Sequence, residues 1–221
     1  MRLSQLIGTL AEHTGQSVGR VDTLARRLQE IGAIPKGSGG SNAASVTIDH
    51  AVLLILAHLS DAKIGQISTV VPQIAEYFHV DDEGKMTAAK FVSTLLSSLV
   101  DVDASPDLTR VAFRSSVSVI GGDQPAVVVR IGTNELDPLE LAFTPDGKPY
   151  EPFFGEEVAK AVTIPGRVLF RLARALEPLL PPSTSIVRRT FPFTLHSVDG
   201  QPIADWRQGI EAELDRMPVN T

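Results

Sequence analysis

The chain of 221 residues contains no cysteine, and aromatic side chains make up only 5% of it. The absence of cysteine excludes disulfides, thiolate metal sites and a cysteine nucleophile. The longest apolar run, residues 51–57, falls far short of the about 20 residues that a membrane-spanning helix needs. The first residues also lack the apolar stretch of a secretory signal. We therefore expect a cytoplasmic protein that has no membrane partner.

Basic residues are scarce as well. The chain has 20 Lys and Arg against 26 Asp and Glu, a net charge of −6, which excludes a protein that coats nucleic acid over its whole surface. Residues 1–46 nevertheless carry five basic and three acidic side chains, so their net charge is 5 − 3 = +2 and the remainder has −6 − 2 = −8. A basic head on an acidic body is typical of a local DNA contact.

The hydrophobic fraction of 43% is enough to build a core, and its periodicity predicts three helices in the first 62 residues. The second helix is capped by Ser17, and its apolar residues recur at steps of three and four. A Gly-rich loop at 37–45 follows the extended residues 33–35. The third helix begins at Thr47 and is apolar nearly all round, which indicates burial between layers or at a subunit interface.

Further helices are predicted near 66–78 and 87–100, with an acidic turn at 81–84 between them. Past residue 106 the period changes to the alternation of strands, at 111–119, 127–131 and 139–143, before a helix that opens at Thr163 and Pro165. A strand or bent strand pair at 186–198 and a last short helix capped by Asp205 are predicted after it. The predicted fold class is thus α+β. It has an N-terminal, all-α, winged-helix-like head at 1–62, a helical connector at 63–104 and an α+β C-terminal domain at 105–221.

The head resembles the winged helix-turn-helix of MerR-type regulators. Members of that family run helix, turn, recognition helix, x-x-G-L-L/I-P, wing, and then a helix capped by Thr or Ser. The matching segments here are IGAIPK at 31–36, the loop at 37–45 and TID at 47–49. The segment also resembles prophage-associated bacterial DNA-binding proteins. The resemblance implies duplex DNA as the partner. It carries no effector or promoter mechanism, because the usual Tyr and Arg residues of the recognition helix and wing are absent.

The candidate DNA contacts are the polar face of the second helix and the loop that follows it. Arg offers a fork of donors to guanine or phosphate, and Gly with small hydroxyls lets the backbone approach phosphates. The alternatives are a solvated helix face, with Glu30 pairing Arg26 or Arg27, and a plain flexible linker. A nucleotide-binding loop is excluded, since neither phosphate-binding Gly motif is present. The predicted contact residues are Arg20, Thr23, Arg26, Arg27, Lys36, Ser38, Gly39 and Asn42.

The remaining candidate sites predict neither a metal, a cofactor nor an enzyme. The five histidines lack paired-ligand spacing, and no nucleophile motif is present. The sequence therefore predicts a non-enzymatic, homo-oligomeric protein that binds duplex DNA, as a transcriptional regulator of bacterial or phage origin. Two alternatives stay open. One is a DNA-packaging recognition subunit similar to small terminase proteins, and the other is a protein-interaction module that binds no DNA.

Overall fold

The structure is a computed structural model, and the residues that it describes combine six α-helices with antiparallel strands. The α+β class expected from the sequence is therefore correct. The described residues are 1–36, 45–81, 84–100, 114–122, 125–132, 139–148, 160–179, 195–196 and 202–203.

Among the described residues, four helices come first, followed by two strands and a fifth helix, and then by four strands, a sixth helix and two short strands. The helices are α1 Leu3–Thr14, α2 Val18–Glu30, α3 Ile48–Leu59, α4 Ile67–Ala75, α5 Ala88–Val100 and α6 Gly166–Leu176. The strands are β1 Phe78–Asp81, β2 Gly84–Thr87, β3 Ser116–Ile120, β4 Ala126–Ile131, β5 Leu139–Phe143, β6 Ala161–Pro165, β7 Leu195–His196 and β8 Pro202–Ile203.

The main sheet has four antiparallel strands in the order β5-β4-β3-β6. Alternate residues of β3 point to the core, so Val117 pairs with Val129 of β4 and both are fully buried. A separate hairpin, β1–β2, is tied to the end of β5 because Phe78 and Thr144 exchange backbone hydrogen bonds of 3.0 and 3.1 Å. Helices α3 and α6 pack against strands β3 and β6 of the main sheet.

The helical head and the sheet share one continuous hydrophobic core. The rings of Phe91 on α5 and Phe143 on β5 lie 5.2 Å apart, centroid to centroid, and neither is exposed. Helix α6 packs against both α1 and α5. The domain boundaries expected near residues 62 and 104 stay a prediction. Buried residues before and after each of these positions belong to the same hydrophobic core.

The apolar helix α3 is buried between layers of the same chain. It contacts α2, α4 and α5 and touches β3 and β6, and seven of its residues are buried. Burial by these neighbours leaves only Ile48 and Leu53 of its large apolar side chains partly exposed. Of the two explanations for such a helix, the structure therefore favours burial between layers, and α3 supplies no argument for a subunit interface.

Two elements differ from the expected pattern. The helix expected at 66–78 ends at Ala75, and Phe78 instead begins the β1–β2 hairpin within the segment expected to be wholly helical. Thr163 and Pro165 lie in β6, which pairs with β3, so α6 begins one residue after Pro165. The strand expected at 186–198 overlaps β7 only at 195–196. The rest of it, and the helix expected from Asp205, lie outside the described residues.

Candidate nucleic-acid interface

Helices α1 and α2 form a tight pair in which α2 presents its polar side outward. Gly15 ends α1 in the left-handed conformation, with φ of 70°, and Ser17 caps α2 by accepting a 3.2 Å hydrogen bond from the Arg20 N–H. The opposite side of α2 is buried through Val21, Leu24, Ala25 and Leu28. The expected cap of α2 and these four core-facing residues are therefore confirmed, whereas Val18 and Ile31, which were expected on the same apolar face, are exposed.

Two of the predicted arginines are engaged in ion pairs on the helix itself. Arg26 lies 2.8 Å from the Asp22 carboxylate, and Arg27 lies 2.8 Å from that of Glu30. Arg27 contacts both carboxylate oxygens, at 2.8 and 3.1 Å. The pairing expected of a solvated helix face is present, with Arg27 rather than Arg26 as the partner of Glu30.

The hydroxyl of Thr23 is also used within the helix, because its Oγ1 donates a 2.7 Å hydrogen bond to the carbonyl of Gly19. This leaves the hydroxyl oxygen able to accept but not to donate. A hydroxyl in this state can accept a hydrogen bond from a base N–H or a water, but it has no proton left to donate to a phosphate oxygen.

Arg20 belongs to a different group of charges, at the C-terminal end of α3. The pKa of His58 is lowered, first by burial and then by the positive charge of Arg20. The pKa of Asp61 is also lowered, chiefly by its hydrogen bond and ion pair with Lys160 and less by Arg20. Arg20 therefore lies beside a charged cluster that joins α2, α3 and the start of β6, away from the Arg26 pair.

The predicted wing is anchored at both of its ends, although Ser38, Gly39 and Asn42 lie outside the described residues. Before the loop, Ile34 is fully buried and the Gln29 side chain donates a 2.9 Å hydrogen bond to the Pro35 carbonyl. Lys36, the next residue, is exposed. Lys36 is thus held at the C-terminal end of α2, with its ammonium group in solvent.

After the loop, the chain returns to the start of α1. Arg2 and Ser45 form an antiparallel β-bridge, and the Val46 N–H donates a 3.3 Å hydrogen bond to the Met1 carbonyl. Val46 is buried, with 3% of its surface exposed. The sequence reasoning missed this pairing, and its only local signal is the isolated apolar Val46 between polar neighbours.

The helix after the wing begins at Thr47, as expected. The Thr47 N–H donates a 2.9 Å hydrogen bond to Nδ1 of His50, which occupies the position where a Glu or Gln closes a capping box. Burial lowers the pKa of His50, and the charge of Asp49 partly opposes this. A neutral imidazole at His50 is what this capping bond requires, since a protonated Nδ1 cannot accept.

A second helix pair, α3–α4, precedes the β1–β2 hairpin and offers an alternative pair of helices for a DNA contact. Helix α4 carries no basic residue, whereas α2 carries three arginines. Charge therefore favours α2 as the helix that approaches DNA.

Within the described ranges, no cluster of three or more His, Asp or Glu residues could hold a metal ion. The same ranges contain no helix that is both long and apolar enough to cross a membrane. No family model matches the chain, and neither a curated protein nor a solved structure matches it. The assignment of a function therefore depends on the geometry and charge of these elements.

Proposed function

We propose that the chain is a non-enzymatic, cytoplasmic transcriptional regulator of bacterial or phage origin that binds duplex DNA through α2 and a wing at 37–45. The observation that carries the proposal is the arrangement around the loop. Its two ends are fixed against the end of α2 and the start of α1, through Ile34, Val46 and the Arg2–Ser45 bridge. Lys36, the last described residue before the loop, is exposed, and it follows the end of α2 that carries Arg26 and Arg27.

Each part of this surface has a separate role in the proposal. Arg27, on the flank of α2, is a candidate for a two-pronged hydrogen bond to guanine, and Lys36 for a phosphate contact. The ion pairs on α2 do not oppose this, because exposed pairs contribute only about 0.2–1 kcal/mol. A hydrogen bond from Arg27 to a phosphate or a guanine is of equal or greater strength, so the Glu30 contact can exchange for it.

The test is DNA affinity as a function of salt, measured on the full chain. A fragment of residues 1–100 is unsuitable, because removal of α6 would uncover the surfaces of α1 and α5 that it packs against. We expect the full chain to bind duplex DNA at low salt and to weaken steeply as salt rises, since phosphate contacts release counterions. Affinity that is absent, or that does not change with salt, would contradict the proposal.

Two variants separate base reading from phosphate contact. Arg27→Ala should cost about 1–3 kcal/mol of binding free energy and relax sequence preference, and Lys36→Ala should weaken every sequence about equally. Lys148→Ala, an exposed lysine on the far turn after β5, is the control. If both head variants bind as the parent does, the polar face of α2 is a solvated surface.

We also propose that the protein is a homo-oligomer, because one head carries a net charge of only +2 and linked heads add their contacts through effective concentration. Light scattering tests this directly. A dimer with DNA affinity supports a regulator, whereas a ring-sized assembly supports the packaging subunit. A species of any size without DNA affinity supports a protein-interaction module.

A further inference from the structure

Helix α6 carries a stripe of three arginines on the side that faces solvent. Arg167, Arg171 and Arg174 are all exposed, and they follow one another at steps of four and three residues. At 100° per residue they fall within an arc of about 60°. We call these three residues the α6 stripe.

The stripe lies opposite the buried side of the same helix. The residues that α6 buries against the core are Gly166, Leu169, Leu172, Ala173 and Leu176, and their mean direction is about 180° from that of the arginines. The apolar side is therefore packed inside the molecule, with Val168 and Phe170 at its margins partly buried, and the orientation of the stripe is fixed by packing. No acidic residue lies on α6 to offset its three positive charges.

The first two arginines of the stripe also differ from those of α2. Arg167 and Arg171 make no ion pair with the part of the chain that the structure describes, whereas Arg26 and Arg27 are each paired with a carboxylate. In a chain of net charge −6, two neighbouring guanidinium groups that have no carboxylate partner among the described residues form a local positive surface. Such a surface attracts a polyanion.

We propose that the α6 stripe is a second DNA contact, which binds the phosphate backbone of the same duplex that the head reads. The stripe extends over eight residues, and the seven steps between its ends span about 10 Å along the helix axis. One strand of a duplex carries a phosphate every 3.4 Å or so of axis, and about 10 Å therefore spans three phosphates. The proposal rests on the proposed function, because it needs a duplex already held at the head.

Packing connects the two contacts. Helix α1 contacts both α2 and α6, so the stripe and the head belong to one packed body. Once the head is bound, the stripe is held near the duplex at a high effective concentration. The affinity gained from the stripe then multiplies the affinity of the head. This would raise affinity without reading bases, since phosphate contacts carry no sequence information.

An anionic membrane is a less suitable partner for this helix. A helix that lies in a membrane surface needs a free apolar face to insert beside its basic face. The apolar face of α6 is buried against α1, α5 and the sheet. Only the charged side is available, and that side suits a polyanion in solution.

The test compares three double variants of the full chain on one duplex of fixed length and sequence. Arg167→Gln with Arg171→Gln removes two charges from the stripe. Arg130→Gln with Lys148→Gln removes two exposed charges from the sheet and its turn, so both proteins have a net charge of −6 − 2 = −8. Arg167→Lys with Arg171→Lys keeps the charge and should keep most of the affinity. Melting temperatures of all three verify folding.

We expect only the stripe double variant to bind more weakly, with unchanged sequence preference. Two lost phosphate contacts lower the slope of log affinity against log salt by about 1.8, so the ratio of parent to variant affinity should fall about twelvefold between about 50 and about 200 mM salt. A stripe variant that matches the sheet control would overturn the proposal, as would a stripe effect that is independent of salt.

Failure of the stripe and failure of the head give different results. If Arg27→Ala weakens binding and the stripe variant does not, the proposed function stands and the stripe is a solvated surface. If the stripe variant weakens binding and both head variants do not, α6 binds DNA without the head, so the head assignment and the role of the stripe as a second contact both fail. A parent that binds no duplex, but binds phosphatidylserine vesicles through Arg167 and Arg171, would overturn both in favour of a membrane.

Discussion

Neutralising the carboxylates of α2 should strengthen DNA binding while slightly weakening the fold. Asp22 and Glu30 each hold an arginine at 2.8 Å and would face the phosphates of a bound duplex. The double change Asp22→Asn and Glu30→Gln frees Arg26 and Arg27 and removes two negative charges. Both substitutions keep a hydrogen-bonding side chain of nearly the same size, so packing is preserved.

The expected gain follows from Coulomb's law. A carboxylate about 6 Å from a phosphate is repelled by about 0.7 kcal/mol in water, and screening at about 0.1 M salt reduces this to roughly half. Two carboxylates therefore amount to about 0.8–1.4 kcal/mol, which corresponds to roughly a four- to tenfold tighter complex. The folded state loses two exposed helix pairs, at about 0.2–0.5 kcal/mol each.

Fluorescence anisotropy with a labelled duplex measures the affinity, and urea unfolding measures the stability. The matched control is Glu140→Gln with Asp146→Asn, which breaks two exposed ion pairs on the sheet and its turn and gives the same net charge, −6 + 2 = −4. Tighter binding only in the α2 variant places DNA on this helix face. Equal affinities of the two variants would refute the reasoning, because the gain would then come from net charge alone.

Three further predictions concern the fold. Gly15→Ala should destabilise the protein by about 1 kcal/mol, since Gly15 has φ of 70°. Gly8→Ala, in open space within α1, should be neutral or stabilising. Urea midpoints that rank the two variants the other way would contradict the assigned end of α1. Leu172→Ala should cost about 2–5 kcal/mol within one unfolding transition, and a second transition in calorimetry would show separate cores. The pKa values of His50 and His58 are lowered in the folded state, so protonation of either imidazole favours unfolding. The free energy of unfolding should therefore be highest above about pH 6.5 and fall as the pH drops through the folded pKa values. A His50→Gln, His58→Gln double variant, measured between about pH 7.5 and about pH 5.5, should lose this dependence.

The helices of the head could be predicted because their signals are local. Ser17 begins α2 and Thr47 begins α3, each where a capping residue precedes an apolar period of three and four. The strands β4 and β5 also lie where alternation placed them. In each case the residues that specify the element lie within it.

What the sequence could not predict depends on residues far apart in the chain. The Arg2–Ser45 bridge needs two segments that the packing of α1 and α3 against α2 brings together. The hairpin of β1 and β2 consists of strands of four residues each, too short to display a period of its own, and its pairing with Thr144 lies outside any local window. The contact between Asp61 and Lys160 joins positions 99 residues apart, and it draws Arg20 into a different charged group from Arg26.

The pairing of charges, more than their number, explains how an acidic chain would hold DNA. The paired arginines of α2 must exchange a carboxylate for a DNA group, so they gain little from a phosphate and most from a guanine that accepts two hydrogen bonds. Arg167 and Arg171 lose no carboxylate partner among the described residues, so any phosphate stabilises them. We therefore expect α2 to determine which sequence is bound and α6 to determine how tightly, with the salt dependence of binding residing mainly in α6.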